Sequence, residues 1–506
     1  MTADVKVAEF AAQLRDHPFV KNAKLATALL GRAPGSTMTV AELRSLLNQT
    51  AASASVLDMT GMTVTIDDQV TLQDHPGIQG GTFLVGSNSQ RAGLLIRTTV
   101  NRAESQKTFI LGSTFLVHTQ HSSQAAVIYA VDGRHVVIDE CKILGVKVGR
   151  AVYVRGTTSN PTAFTSKTID PQALNTAAIA FAALIGEQPL PASGCCNVHV
   201  LRTQVHMNTQ DSEAITFEST RVFAPQSNAR DAWRARNATA TVTAPVSHCI
   251  VADCDITGGH YGVASYGARL IWVGGCRLYR QVRGTSAQDT TRSFLTHGCD
   301  IFDPKSTAHH NAYGADQCRY AGTTVDTGRS NGEGLLQAYV GCGVIHFSHC
   351  SVITHSETKS LYAVYAGVGA DVAFASGTIL EKTPGSITRG LCVVESDWID
   401  TTKSPQSRAY GGTGGELDKF LNKSIPTKLR VTDSTVGPAL GGMYAVVRPT
   451  SPKYGAARCE IEYPREHQGR LKVYSDTKTD IRVAVNFKLS GRPSYTPYSG
   501  YSLLPV

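Results

Sequence analysis

The chain has 506 residues, a formal net charge of +8 and 17% charged residues. This modest charge lacks the clustered basic stripe of a nucleic-acid-binding protein. Twelve cysteines in so long a chain exclude a small disulfide scaffold, and the absence of any CxxC pair leaves a zinc ribbon unsupported. We therefore expect no nucleic-acid partner, no metal and no cofactor.

Residues 1–50 are predicted to be a helical cap or attachment segment. "VKVAEFAAQLRD" and "FVKNAKLATALLG" have helical spacing, the second ending at Gly31, and Thr39 with Glu42 forms a capping box. No basic stretch followed by an apolar one marks a signal peptide. The longest apolar run, residues 177–186, is about half of the roughly 20 residues that a membrane helix needs. We expect no membrane insertion.

Residues 51–440 repeat one frame, in which apolar or small residues stand five and three positions before a small central residue and two positions after it. The clearest central residues are Cys141, Thr203, Cys254, Cys276, Cys299, Thr323 and Cys350. From Cys254 to Cys350 their spacing is 22, 23, 24 and 27 residues. A period in the twenties, with two short strands joined by a two-residue corner, predicts an all-β parallel β-helix with three strands per coil. The cysteines are then expected to be buried thiols in the interior.

Three segments depart from the repeat. Long loops near 157–195 and 219–247 leave consecutive coils, and the second contains Trp233 and four arginines. Long loops on a rigid scaffold often carry binding sites, although a variable loop or a subunit contact is an equal alternative. Residues 441–506 alternate in the manner of antiparallel strands, which predicts a small C-terminal β module.

The residue after each central position is expected to face solvent. Asp255, Arg277 and Asp300 occupy this column, and the two aspartates would be two coils apart, roughly 9.6 Å at the backbone. An inverting glycosidase uses two carboxylates at about that separation, so Asp255 and Asp300 are candidate acid and base, with Arg277 tuning them. The alternative is a charge ladder that keeps exposed strands soluble.

Neighbouring outward columns supply aromatic side chains on which sugar rings could stack. These candidates are Trp272, Tyr279 and Phe302, with Trp233 on the second loop. Three glutamates at outward or corner positions could replace either aspartate. They are Glu213, Glu218 and Glu333.

A second set of residues would suit a lyase. β-Elimination from a uronic acid needs a base for the C5 proton and a cation near the carboxylate. The candidates are Arg292, His297, Tyr313 and Asp316. A lone corner histidine such as His297 can equally be structural.

The coil frame, the N-terminal helices and "TVTIDDQVTLQDHPGIQGGTFLVG" resemble the pectate-lyase-like right-handed parallel β-helix proteins, and more narrowly bacteriophage tailspikes. The resemblance covers about residues 55–440 and includes no catalytic motif. It implies a homotrimer in a virion tail, assembled in the bacterial cytoplasm beside other tail proteins, that binds and often cleaves a capsule or lipopolysaccharide. We favour glycosidic hydrolysis over elimination. The alternatives are a non-catalytic structural or receptor-binding virion protein and a bacterial polysaccharide lyase.

Overall fold

The computed structural model describes these parts of the chain: residues 15–86, 92–99, 101–118, 126–147, 149–157, 190–191, 193–223, 240–289, 291–312, 314–328, 334–338, 342–354, 362–367, 370–375, 379–382, 390–395, 427–431, 435–436, 443–446, 458–463, 471–474, 480–485 and 488–489. Apart from one two-stranded sheet, their strands form three sheets of almost wholly parallel strands, A, B and C, to which each regular coil contributes one strand apiece. This arrangement confirms the predicted right-handed parallel β-helix.

The chain divides into two units. The first contains Met1–Arg221, Val242–Val282 and Thr296–Cys299, and the second contains Val222–Thr241, Arg283–Leu295 and Asp300–Val506.

In the described part of the first unit, three helices stand before the first coils. They are α1 (Pro18–Lys21), α2 (Ala26–Leu30) and α3 (Val40–Ala52). The capping box is present, since the hydroxyl of Thr39 accepts the Glu42 N–H and the Glu42 carboxylate accepts the Thr39 N–H at 2.8 Å. The single helix expected before Gly31 is instead α1 and α2, separated by a two-residue strand that pairs with the following coil.

Each sheet of the first unit is a regular succession of strands. Sheet A contains β1 (Lys24–Leu25), β3 (Leu57–Asp58), β6 (Gly77–Gln79), β9 (Thr108–Leu111), β12 (Arg134–Asp139), β15 (Cys195–Leu201), β20 (Val246–Ala252) and β23 (Arg269–Gly274). Sheet B contains β2 (Thr37–Met38), β4 (Thr63–Ile66), β7 (Thr82–Val85), β10 (Thr114–Val117), β13 (Lys142–Val146), β16 (Gln204–Met207), β21 (Asp255–Thr257) and β24 (Arg277–Tyr279). Sheet C contains β5 (Val70–Gln73), β8 (Ala92–Arg97), β11 (Ala126–Val131), β14 (Arg150–Arg155), β17 (Glu213–Glu218) and β22 (Tyr261–Tyr266).

The second unit repeats this pattern. Sheet A contains β26 (Arg292–His297, whose last two residues belong to the first unit), β29 (Cys318–Ala321), β32 (Val344–Ser348), β35 (Asp371–Ala375), β38 (Thr427–Val431), β41 (Arg458–Tyr463), β43 (Asp480–Val485) and β44 (Lys488–Leu489). Sheet B contains β27 (Asp300–Phe302), β30 (Thr324–Asp326), β33 (Ser351–Thr354), β36 (Ile379–Lys382) and β39 (Thr435–Val436). Sheet C contains β25 (Arg283–Gln288), β28 (Thr307–Asn311), β31 (Gly334–Ala338), β34 (Tyr362–Gly367), β37 (Gly390–Glu395), β40 (Met443–Val446) and β42 (Leu471–Tyr474). Two further strands, β18 (Thr220–Phe223) and β19 (Ala240–Ala244), form a sheet of their own.

The corner between sheets A and B explains the sequence repeat. Its first residue has a positive φ, which bends the chain sharply and is easiest for glycine, as at Gly275 (φ 60°). Its second residue is the small central residue of the frame, and its hydroxyl or thiol donates to the carbonyl oxygen two residues earlier. Thr203 does so at 2.8 Å and Cys254 at 3.3 Å. The frame therefore selects a small buried donor, and not only a small apolar side chain.

The cysteines of the coils are buried free thiols, as predicted. This holds for Cys141, Cys195, Cys196, Cys249, Cys254, Cys276, Cys299, Cys318, Cys342 and Cys350. Neighbouring thiols and burial raise the pKa of Cys276 and Cys299 well above the ordinary value. Burial raises the pKa of Cys141 to about 12. The reactive thiolate is therefore strongly disfavoured at these positions.

The C-terminal strands were expected to be antiparallel, but the observed strand pairing is mostly parallel. β41 pairs in parallel with β38 and with β43, and β40 pairs in parallel with β42, so these strands continue sheets A and C of the second unit. Only β44 is antiparallel, to β43, within this described segment. Alternating apolar residues fit either pairing, because both leave one face of the strand buried.

Candidate active site

The candidate site lies on the outer face of sheet C in the first unit, on three adjacent strands. β14, β17 and β22 come from successive coils and pair in parallel. The register places Arg150 and Tyr261 opposite Glu213. It also places Arg155 and Tyr266 opposite Glu218, at the other end of β17.

Glu213 is held by three donors. The Nε of Arg150 donates to Oε2 at 2.9 Å, and the hydroxyl of Thr216 donates to the same oxygen at 2.8 Å. The phenol of Tyr266 donates to Oε1 at 2.6 Å. The side chains of Arg150 and Glu213 are only 13% and 15% exposed, so this ion pair is largely shielded from water. Both oxygens of Glu213 accept hydrogen bonds, which is the pattern of an ionised carboxylate.

Glu218 is joined to the same cluster through Tyr153. The phenol of Tyr153 donates a short hydrogen bond to Oε2 of Glu218. The ring of Tyr153 stacks on Tyr129 with a 4.7 Å centroid separation, and the guanidinium carbon of Arg150 lies 4.2 Å from its centroid. Arg150 therefore contacts the Glu213 carboxylate and the ring that reaches Glu218, which makes the two glutamates parts of one network.

The two phenols are donors and not bases. Burial, and next the charge of Glu218, raise the pKa of Tyr153 well above its ordinary value. Burial and the charge of Glu213 do the same for Tyr266. Burial would lower the pKa of Arg150, but the charges of Glu213 and Glu218 and the hydrogen bond to Glu213 act in the opposite direction, and the pKa is raised. At neutral pH the tyrosines are therefore protonated and the arginine is charged.

Sequence reasoning named the two glutamates as substitutes but missed Arg150, Tyr153 and Tyr266. The frame used for the repeat covers the strands of sheets A and B and leaves the third strand of each coil unaligned. Aligning the third strands, "RAVYVR", "EAITFE" and "YGVASY", would have placed polar residues at both ends of each. That alignment is the signal that could have found the cluster.

Asp255 and Arg277 lie opposite each other on sheet B and form an exposed ion pair. The Nε of Arg277 is 3.2 Å from Oδ1 of Asp255, and the two side chains are 69% and 44% exposed, respectively. Such a pair contributes about 0–1 kcal/mol to stability. Asp300 lies on β27 in the second unit, opposite Thr324. A catalytic role of the aspartates stays a prediction.

The aromatic candidates differ in exposure. Trp272 was expected to offer an outward flat face, but it is only 7% exposed, and a Cβ built at Gly274 would lie 2.2 Å from its ring. The indole thus lies over its own strand, where glycine leaves room, and presents little surface to a sugar. Tyr279 is 39% exposed and stacks with Arg280, while Phe302 is half-buried in the second unit.

The lyase candidates are partly brought together. In the second unit, the Nε of Arg292 lies 3.4 Å from the Asp316 carboxylate, whose Oδ1 also accepts the backbone N–H groups of Gln317 and Val344. Asp316 therefore fixes a corner of the coil. His297 is half-buried in the first unit, and burial lowers its pKa. Tyr313, Trp233 and Glu333 lie outside the described residues.

Two negative findings apply to the described residues only. No group of three His, Cys, Asp or Glu side chains there is placed to hold a metal ion. No helix there is long and apolar enough to cross a membrane.

No family model and no curated protein matches the chain. Among solved structures, it is similar to the A-module of the mannuronan C-5 epimerase AlgE6 of Azotobacter vinelandii, with 10% identity and a TM-score of 0.47 over 90% of this chain and 95% of that chain. It is also similar to the receptor-binding domain of the tailspike of siphovirus 9NA, with 11% identity and a TM-score of 0.23 over 92% and 78% of the two chains. At these identities the likeness concerns the fold alone.

Proposed function

We propose that the chain binds a bacterial surface polysaccharide and cleaves it by glycosidic hydrolysis, with Glu213 and Glu218 as the catalytic carboxylates. The observation that carries this proposal is the shared network of two glutamates, two tyrosine phenols and Arg150 on the outer face of sheet C. Hydrolysis of a glycosidic bond needs two carboxyl groups, one to protonate the leaving oxygen and one to activate water or attack the sugar.

The state of the tyrosines favours hydrolysis over elimination. A lyase needs a base for the C5 proton, and a tyrosine serves as that base only when its phenol loses its proton readily. Burial raises the pKa of both Tyr153 and Tyr266, and each donates its proton to a glutamate. The carboxyl groups are therefore the acid and base of the site.

The hydrogen bonds support a different role for each glutamate. Glu213, paired with Arg150 and accepting on both oxygens, supplies the negative charge that activates water or stabilises the developing positive charge on the sugar ring. Glu218 is engaged by Tyr153 at Oε2 and protonates the leaving oxygen. Tyr153 acts as a positioning residue that orients this carboxyl group.

The experiment measures new reducing ends released from a panel of bacterial capsules and lipopolysaccharides, beside the ultraviolet absorbance of unsaturated uronides. Glu218→Gln should lower the rate about 10²–10⁴-fold while glycan binding and melting temperature are kept. Asp68→Asn, which breaks an exposed carboxylate–arginine pair near the N-terminal helices, is the control and should keep full activity. Reducing ends together with the ultraviolet signal would mean a lyase and overturn the proposal.

Asp255 and Asp300 provide the competing pair. Asp300→Asn should abolish cleavage, without loss of binding, if that pair is catalytic. Full activity in Asp300→Asn together with loss in Glu218→Gln would decide for the glutamates. The opposite result would decide for the aspartates and move the site to sheet B.

The assembly belongs to the same proposal. We propose a homotrimer in a virion tail, on the basis of the sequence resemblance to tailspikes. Light scattering coupled to size exclusion should give three times the chain mass, and a monomer would contradict this part. A glycan that binds but is never cleaved would favour the non-catalytic receptor-binding alternative.

A further inference from the structure

The interior of the second unit contains a small cluster of polar side chains. Thr285 on β25 lies opposite His309 on β28, and Asn311 lies two residues further along β28, on the same face of the strand. The ring of Tyr320, from sheet A, lies 4.2 Å from the ring of His309. All four residues are fully buried, so these side chains from sheets A and C meet inside the coil.

Hydrogen bonds satisfy most polar atoms of this cluster. Oγ1 of Thr285 lies 2.7 Å from Nδ1 of His309. The phenol of Tyr320 donates to Oδ1 of Asn311 at 2.6 Å, and Nδ2 of Asn311 donates to the Gln337 carbonyl oxygen at 3.2 Å. The amide nitrogen of Asn311 carries two N–H groups, and the bond to Gln337 uses one of them.

The second ring nitrogen of His309 is the exception. Nε2 is buried and has no hydrogen-bond partner among the described residues. Burial lowers the pKa of His309 to about 3, so at neutral pH the imidazole is neutral and Nε2 carries either a proton or a lone pair. Either form needs a partner, because a buried polar atom without a hydrogen bond destabilises the fold and is rare in native proteins.

Small side chains leave room beside the cluster. The register places Ala287 and Ala338 on either side of Asn311, and Ala366 follows Ala338 in the same inward row. These alanines are buried, so their methyl groups face an interior that they fill only in part. Polar groups and room together are the conditions under which proteins retain a buried water molecule.

We infer that a single water molecule is bound at Nε2 of His309, inside the second unit. Water suits either tautomer of the ring, since it donates to a bare nitrogen and accepts from an N–H group. It also accepts the second amide N–H of Asn311, which gives it the two or more protein partners that buried waters have. This water belongs to the folded structure, and the inference is independent of glycan binding and cleavage.

A high-resolution crystal structure of the unchanged chain tests the site directly. An electron-density peak should lie roughly 2.7–3.2 Å from Nε2 of His309. The internal control is His75, which is also buried but has both ring nitrogens bonded to the backbone, at Gly77 and Leu47, so no peak is expected at its ring nitrogens. A well-ordered His309 with no peak at Nε2, or with a protein atom bonded there, would overturn the inference.

A second measurement counts long-lived waters in solution by the magnetic relaxation dispersion of deuterium or oxygen-17 in the solvent. His309→Phe should lose one long-lived water relative to the unchanged chain, because phenylalanine offers it no polar atom. The matched control His206→Phe replaces an exposed histidine and should lose none. An equal number of long-lived waters in His309→Phe and in the unchanged chain would contradict the inference.

Discussion

The phenol of Tyr266 lies 2.6 Å from Glu213, although the backbone of Tyr266 is opposite Glu218 at the other end of β17. The ring therefore lies along the outer face of the strand and joins its two ends. A hydrogen bond at this place ties the orientation of the carboxylate to the coil that follows it. The cluster is thus held by three coils and not by one strand.

Removing the Tyr266 hydroxyl should weaken both the site and the fold. Tyr266→Phe keeps the ring but takes one donor from a largely buried carboxylate, which costs about 1–3 kcal/mol of unfolding free energy. Urea unfolding measures this loss, and the reducing-end assay should show a lower rate. Tyr279→Phe is the control for stability, because that ring is 39% exposed, and it should change the unfolding free energy by less than about 0.5 kcal/mol. Equal losses in both variants would show that the bond to Glu213 contributes nothing.

Gly77 is expected to be the least replaceable described glycine of the first coils. Its φ is 115°, and a Cβ at this position would lie 1.8 Å from the carbonyl oxygen of Phe109. Gly77→Ala should therefore lower the unfolding free energy by more than about 3 kcal/mol, because the backbone of β6 and β9 would have to separate. Gly112→Ala is the matched control, with a φ of 57° and open space around the Cβ.

Gly112→Ala should lower the unfolding free energy by about 1–2 kcal/mol, because its only cost is the positive φ that alanine must adopt. Differential scanning calorimetry of the two variants separates the two effects. If Gly77→Ala melts at the temperature of Gly112→Ala, the contact with β9 yields readily, and the predicted clash is wrong.

Acid should destabilise the fold through buried histidines. Burial lowers the pKa of His75 to about 4 and that of His309 to about 3. His75 accepts the Gly77 N–H through Nδ1 and donates to the Leu47 carbonyl through Nε2, so protonation at Nδ1 would break the hydrogen bond to Gly77 at the start of β6. The unfolded chain binds these protons near pH 6.5 and the folded chain does not. The stability is therefore fully present above pH 6.5 and is lost progressively as the pH falls towards the folded-state values.

The loss should be on the order of 1 kcal/mol per pH unit for each such histidine. Unfolding free energies measured by urea between pH 7 and pH 4 give the slope. His309 packs against Tyr320 with a 4.2 Å ring separation, and its Nε2 has no hydrogen-bond partner among the described residues. His309→Phe should therefore reduce the slope, whereas Arg277→Gln, which alters an exposed pair, should not. An unchanged slope in His309→Phe would refute the assignment.

The buried thiols should resist alkylation. Native protein treated with iodoacetamide, digested and examined by mass spectrometry should show the ten described cysteines unmodified, and denatured protein should show them all modified. Rapid modification of Cys254 or Cys276 in the native state would mean that the coil interior opens to solvent. Disulfide-linked peptides from these positions would likewise contradict the free thiols.

Much of the fold could be predicted from the sequence because the coil corner imposes a residue type at a fixed place. Thr203 and Cys254 both donate to a carbonyl two residues earlier, so the corner can be recognised from the sequence alone. The capping box at Thr39 was also predicted correctly, because it depends on two residues only three positions apart. The parallel pairing of β41 was not predicted, since the alternation of apolar residues along a strand does not reveal whether its neighbour is parallel or antiparallel.

The candidate site was less accessible to sequence reasoning. The exposure of Asp255 and Tyr279 was predicted correctly, because side chains along a strand alternate between its two faces. The indole of Trp272 did not follow that rule, because it folds over Gly274 and parity fixes only the direction of the Cα–Cβ bond. The cluster around Glu213 depends on which coils are neighbours. The long segments between β14, β17 and β22 hide that adjacency in the chain.

Because β14, β17 and β22 come from successive coils, the site cannot form until the last of these strands has been synthesised. During synthesis Arg150 is added first, then Glu213 and then Tyr266. Each of these residues belongs to the coil that follows the previous one. A nascent chain that has reached only β17 carries both glutamates without the Tyr266 phenol that donates to Glu213. The proposed site is therefore complete only after the coil that contains β22 has been synthesised and has packed on β17.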